Sequence, residues 1–284
     1  MLVTGTELMK DAQEKKYAVP AINTQGGNYD IIRACVDAAE EVGSPMMLAM
    51  YVNNVHHYGM EWFAETSKYL GGKSSKPVAI HLDHGDTFES NIQAIKCGFT
   101  SVMLDCCHDS IEENARKTNE VIRAAHSVGV SVEAEVGELQ RLDDAGATMD
   151  NKNLASVEDV VKFTSLCQPD MLAVGIGNAH GFYKGEPNIR LDVLREIRAV
   201  TDIPLVLHGS TGMQEHVVKE AIEIGMCKIN FGTLVRHKYM EFYKEGIETL
   251  DHKAHSWMVA QYACNKLKDV VKYIIELSGS AGRC

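Results

Sequence analysis

Three histidines in the 284-residue chain, His84, His180 and His208, each follow an apolar run and stand beside a glycine. Imidazoles from three separate segments can hold one Zn²⁺ and leave its fourth position open, the arrangement of a catalytic rather than a structural site. A metal so held polarises a carbonyl oxygen and offsets the charge of an enediolate. A lone histidine is more often a hydrogen-bonded core or surface residue; three in equivalent positions favour ligation. Asp83 adjoins His84. A carboxylate there either orients the ligand or serves as general acid/base, and we assign Asp83 a catalytic role. Asp105 and Glu135 also end apolar runs. They are candidates for a second or mobile metal position, with hydrogen bonding to neighbouring groups as the alternative.

Small residues follow the later runs: Gly181 beside His180, then Gly209, Ser210, Thr211 and Gly212, and finally Asn230, Phe231, Gly232 and Thr233. Backbone amides in such loops, ahead of a helix N-terminus, suit a phosphate; tight turns alone are the competing explanation. Asn23 ends the first run. His56, His57, His126, His216, His237, His252 and His255 lie away from the ends of apolar runs and keep ordinary roles.

The elements that must position these groups come next. Apolar runs at 17–23, 45–51, 77–83, 101–106, 131–136, 171–176, 204–207 and 228–231 recur at intervals of roughly 25–35 residues, the rhythm of βα units. Most are continuously apolar, as expected of parallel strands covered on both faces. Helical periodicity or end signals fall at 30–42, 110–128, 156–167, 217–224, 234–247 and 257–277. The segment 110–128 opens with Ser110 and Glu113 in capping-box spacing. Eight units in about 250 residues predict a (β/α)8 TIM barrel of the α/β class with an additional C-terminal helix. A doubly wound sheet would carry a Gly-rich first turn, which Thr24-Gln25-Gly26-Gly27-Asn28 does not match. The polar stretch 139–154 is expected to be a mobile active-site loop. No linker divides the chain, so one domain over 1–284 is expected.

The net charge of −11 disfavours nucleic acid or an anionic membrane as partner, while leaving room for a locally positive site for a phosphorylated metabolite. No stretch approaches the length of a membrane span, and the N-terminus lacks signal-peptide features. Eight cysteines are scattered without a C-x-x-C pair, which points to reduced thiols and a cytoplasmic protein.

Several segments then stand together: Val78-Ala79-Ile80-His81-Leu82-Asp83-His84-Gly85, Gly98-Phe99-Thr100-Ser101-Val102-Met103-Leu104-Asp105, and Val130-Ser131-Val132-Glu133-Ala134-Glu135-Val136-Gly137. His180-Gly181, Tyr183-Lys184-Gly185-Glu186-Pro187-Asn188, Pro204-Leu205-Val206-Leu207-His208-Gly209 and Lys228-Ile229-Asn230 continue the series. In order and spacing, over nearly the whole chain, they resemble the class II, metal-dependent ketose-bisphosphate aldolases, the fructose- and tagatose-bisphosphate aldolase family. The resemblance implies that His84, His180 and His208 hold the catalytic zinc and that Asp83 exchanges the C4 hydroxyl proton. It implies that Gly181, Lys184, Gly209, Ser210, Thr211, Asn230, Phe231, Gly232 and Thr233 bind dihydroxyacetone phosphate, whose enediolate the metal stabilises, and that Asn23 contacts substrate. A monovalent cation (Na⁺ or K⁺) and a homodimer or homotetramer are implied as well. The implied reaction is glycolytic: reversible cleavage of tagatose or fructose 1,6-bisphosphate to dihydroxyacetone phosphate and glyceraldehyde 3-phosphate. A ketose 1-phosphate or sugar-acid phosphate is the close alternative substrate; a metal-dependent hydrolase and a non-catalytic barrel are the distant ones.

Three departures accompany the resemblance. The loop after the fifth run lacks the family's paired glycines, and Asp143 falls where a glutamate usually serves as base at C3. Phe231-Gly232 replaces a polar or small residue. Tyr51 stands where Ser or Thr is usual, and no arginine for the far phosphate is identifiable from the sequence.

Overall fold

The computed structural model describes residues 1–141, 154–183, 185–251 and 254–284. Its strands are β1 (Val19–Asn23), β2 (Met46–Tyr51), β3 (Val78–Gly85), β4 (Ser101–Leu104), β5 (Ser131–Val136), β6 (Gln140–Arg141), β7 (Met171–Val174), β8 (Ala179–His180), β9 (Leu205–Leu207) and β10 (Met226–Phe231). The helices are α1 (Gly5–Lys15), α2 (Tyr29–Val42), α3 (Val55–Gly71), α4 (Phe88–Cys97), α5 (Ile111–His126), α6 (Val157–Leu166), α7 (Leu191–Val200), α8 (Glu215–Ile224), α9 (Thr233–Thr249) and α10 (Ser256–Leu277).

Eight parallel strands close into a barrel in the order β1-β10-β9-β7-β5-β4-β3-β2, which excludes the open doubly wound sheet. The C-terminal helix α10 packs on α2 and α9. The short pair β6–β8 lies outside the barrel sheet, and residues 142–153 of the expected loop lie outside the described residues.

Local chemistry sets the helix ends. Asn28 accepts from the amides of Asp30 and Ile31 to start α2, and Thr87 forms a full capping box with Ser90 at α4. The box expected at Ser110 is only half formed: Ser110 Oγ accepts from Glu113 N, but the Glu113 carboxylate turns to the Arg116 guanidinium. A charge-assisted bidentate pair outcompetes the reciprocal bond to a neutral amide.

Two apolar layers hold the molecule. Larger side chains join the outer strand faces to the helices. Inside the barrel floor, Val19, Ala21, Met47, Ala79, Met171, Ala173, Val206 and Cys227 pack on Leu8, Met9 and Ala12 of α1. That helix was not expected from the sequence; it closes the N-terminal end. Along each strand every second residue faces inward. The floor residues Ala79 and Val206 therefore lead to Asp83 and His208 near the C-terminal mouth. All eight cysteines are free thiols, five of them buried. Among the described residues no helix is long and apolar enough to cross a membrane.

Candidate active site and metal centre

At the mouth, Asp83 and His84 are neighbours on β3, yet both line one cavity. Regular alternation would send them to opposite faces. The β3–β4 register shifts between Leu82 and Gly85, and His84 takes the left-handed conformation at φ 50°. Such backbone outside a turn is uncommon for a non-glycine residue and concentrates at functional sites. Gly85 permits it: a Cβ there would lie 2.4 Å from the Met103 carbonyl oxygen.

Three imidazoles meet at this point. Nitrogens of His84, His180 and His208 lie within 4.8 Å of one another. The His84 ring is edge-on to both partners, with centroids 4.9 Å from His180 and 4.7 Å from His208. Nδ1 of His84 donates to Asp105 Oδ2 at 2.7 Å, and Nε2 of His208 donates to Glu133 Oε1 at 2.8 Å. Those bonds leave Nε2 of His84 and Nδ1 of His208 as lone-pair nitrogens, facing each other at 3.0 Å. Two lone pairs at that range repel unless a proton or a metal ion lies between them. Zn–N bonds of about 2.0–2.1 Å put two ligands of a tetrahedral site about 3.3 Å apart, so the residues fit the metal. Carboxylates backing the distal ring nitrogens are the usual support of such ligands.

Without a metal, a proton takes the place between the two nitrogens. Burial disfavours a charged His84, but Asp83, Asp105 and Glu135 outweigh it and raise the ring to about 9. His208 is held below its ordinary value by burial and by the charge of His84, with the Glu133 bond opposing. For Asp83 burial pushes upward, yet His84, His208 and Lys228 bring the carboxyl below the usual range. Asn230 Nδ2 donates to its Oδ1 at 2.9 Å. Glu135 is raised well above its normal value, by burial first and then by Asp105. Neither of its oxygens has a hydrogen-bond partner among the described residues. His84, Asp105 and Glu135 make a second metal-capable set that shares His84 with the first.

The cavity measures about 280 Å³, near the lower end of small-molecule sites at about 300–1,000 Å³. Asn23, Asp83, His84, His180, Gly181, Gly209, Thr211, Asn230, Phe231, Gly232 and Thr233 line it, as expected for a shared site. His208, Asp105 and Glu135 stand behind His84. Ser210 is buried and donates to the Asn230 carbonyl at 2.6 Å. The Phe231 ring packs into the outer core, so this residue offers main chain only. Gly209 is required by its φ of 63° and by the Ala179 carbonyl, 2.3 Å from where a Cβ would sit. Lys184 and Asp143 lie outside the described residues.

Four contributors were missed in the sequence. Asn178 accepts from Ile176 N at 2.8 Å and donates to the His208 carbonyl at 2.9 Å. Tyr183 Oη accepts from Ala179 N at 2.8 Å and donates to the Gly209 carbonyl at 2.7 Å, tying the two histidine-bearing loops together. Asn54 reaches Asn23 Oδ1 at 3.4 Å and lines the cavity. Arg236, in the first turns of α9, is exposed and also lines it, which supplies a guanidinium where no arginine had been identifiable. It follows Thr233 by three positions, and that helical step is the signal that could have found it.

A closed βα barrel with three clustered imidazoles and an adjacent buried carboxylate at its C-terminal mouth is an arrangement able to hold a metal and to exchange a proton. The model of the class II fructose-bisphosphate aldolases matches residues 3–283, and the chain belongs to that family. It is 36% identical to the fructose-bisphosphate aldolase of Thermus caldophilus and 37% identical to that of Helicobacter pylori strain J99, each over the full length of both chains. The crystal structure of the YdjI aldolase from Escherichia coli K12 superimposes with a TM-score of 0.87 at 28% identity, covering 100% of this chain and 99% of that one. The protein is therefore a lyase of the class II aldolase type, acting on phosphorylated sugars, and zinc dependence is general among such enzymes. Membership sets aside the hydrolase and the non-catalytic barrel.

Proposed function

We propose that the chain catalyses reversible, zinc-dependent aldol cleavage of a ketose 1,6-bisphosphate, tagatose or fructose, to dihydroxyacetone phosphate and glyceraldehyde 3-phosphate. The observation that carries this is the carboxylate-backed pair of facing imidazole nitrogens beside Asp83. His84, His180 and His208 would hold the zinc, with Asp105 and Glu135 as an alternative position around His84. When bound, the metal supplies Lewis acidity, offsetting the negative charge that develops as the carbon–carbon bond breaks. Asp83, with Oδ1 fixed by Asn230, takes the C4 hydroxyl proton on Oδ2 and returns it on condensation. Asp143 remains the candidate base at C3.

One phosphate fits the main-chain amides around Gly181, Gly209, Ser210, Thr211, Gly232 and Thr233, with Lys184 as a further candidate. The N-cap of α9 is Gly232, which brings no side chain to compete for the helix-end amides. Arg236 is our candidate for the second phosphate, and Asn23 for the sugar hydroxyls. A monovalent cation (Na⁺ or K⁺) near the first phosphate belongs to the same reading. So does a homodimer or homotetramer. We read 1–284 as one barrel domain, and the free thiols favour the cytoplasm.

A coupled triose-phosphate assay over ketose 1,6-bisphosphates and ketose 1-phosphates tests the proposal. Cleavage of a bisphosphate, abolished by a chelator and restored by Zn²⁺, is the expected result. Cleavage of 1-phosphates alone would overturn the role given to Arg236, and full activity in metal-free protein would overturn the reading altogether.

A further inference from the structure

One layer beneath the three imidazoles, the barrel interior contains an ion pair wholly removed from solvent. Lys228 on β10 and Glu133 on β5 are both 0% exposed, with Nζ 2.7 Å from Oε2. The other carboxylate oxygen, Oε1, is the one that accepts from Nε2 of His208. Lys228 Nζ also donates to Nε2 of His81 at 3.3 Å, and Nδ1 of His81 donates to Ser101 Oγ at 2.9 Å. The tautomers are consistent along the whole chain of bonds: His81 accepts on one nitrogen and donates on the other.

Stability does not account for this pair. Desolvating two charges costs about as much as their attraction returns, and well-packed apolar residues of like volume do as well or better. The layer just below is apolar, with Ala79, Ala173 and Val206, so the barrel has room for that solution. What the pair does provide is a fixed acceptor. A carboxylate bonded to His208 alone could swing about its side-chain torsions; with Oε2 held by Lys228, and Lys228 held in turn by His81, Oε1 has one position.

We propose that Lys228 is a positioning residue for the metal centre: it clamps Glu133, which holds His208 with Nδ1 turned toward His84. The proposal rests on the reading of the three histidines as metal ligands. Partners that orient a ligand typically change metal affinity about 10–100-fold when removed. The burial-driven rise expected of Glu133 is reversed by Lys228 and the His208 bond, which bring it to about 2, in keeping with a charged clamp.

The test is zinc affinity, measured by competition with a chromophoric chelator, on the full chain and on Lys228→Met, Glu133→Gln and the double variant. Visible absorption of the cobalt-loaded proteins reports ligand geometry alongside. Lys228→Met is expected to weaken zinc binding about 10–100-fold and to change the cobalt spectrum. The double variant is expected to match Glu133→Gln rather than to sum the two losses, because both act through one carboxylate. It also leaves no lone buried charge, so it can be measured if Lys228→Met fails to fold. Wild-type affinity and spectrum in Lys228→Met, or in the double variant if only that folds, would overturn the proposal, as would additive losses. Failure of the unaltered chain to bind zinc would instead remove the metal assignment, and the clamp with it.

Discussion

Asp83 lines the cavity with its Oδ1 tied to Asn230, and the hydrogen bonds that orient His84 and His208 are made to Asp105 and Glu133 instead. Replacing it should therefore remove proton transfer and spare the metal. Asp83→Asn is expected to lower turnover about 10²–10⁴-fold while zinc content by elemental analysis stays near that of the parent. Zinc loss as large as that of His84→Ala would show that Asp83 supports the ligands instead. Residues of this kind were legible because chemistry-bearing types stand at the ends of apolar runs. The layer below was less so. Glu133, Lys228 and His81 sit two positions before Glu135, Asn230 and Asp83, a period-two relation visible in the chain once inward-facing positions are known. Which oxygen meets which ring nitrogen follows from the register between β5, β9 and β10, and no local pattern encodes that. His84 escapes the rule, since its inward turn depends on a backbone irregularity at β3.

At the scale of elements, the strand expectations hold to within two residues at every end, because continuous apolar runs bounded by polar residues mark buried parallel strands. Helices α3, α4 and α7 follow from the eight-unit barrel but showed no pattern of their own, and α1 was not anticipated. α1 shows why: its buried stripe is only Gly5, Leu8, Met9 and Ala12, too short to stand out from a polar, lysine-rich segment. Its position is nonetheless demanding. Met9 is 1% exposed and packs into the floor of the barrel, so a cavity there has few ways to collapse. Met9→Ala should cost about 2–5 kcal/mol in urea unfolding and leave zinc affinity unchanged. A loss under about 1 kcal/mol would mean the floor repacks and α1 is not its plug.

For the molecule as a whole, metal and fold should be coupled. The proposed ligands come from β3, β8 and the end of β9, so an ion held there would bridge separate parts of the barrel and bind the folded state alone. At free zinc 100 times the dissociation constant, the gain is about 2.7 kcal/mol, a shift of about 4–5 °C in unfolding midpoint. Calorimetry with and without chelator checks this; equal midpoints would mean that the ligands are organised independently of the barrel.

Tyr183 and Asn178 brace the loops that bear His180 and His208, whereas Tyr51, Asn54 and Arg236 reach the same cavity from β2, the turn before α3, and α9. The bracing hydrogen bonds run through main-chain atoms on the histidine side and do not involve those three side chains. Anyone redesigning the enzyme could thus vary the cavity wall by library mutagenesis at 54 and 236 while those braces stay in place, whereas Tyr51, whose ring meets that of His84 edge-on at 6.0 Å, is better kept.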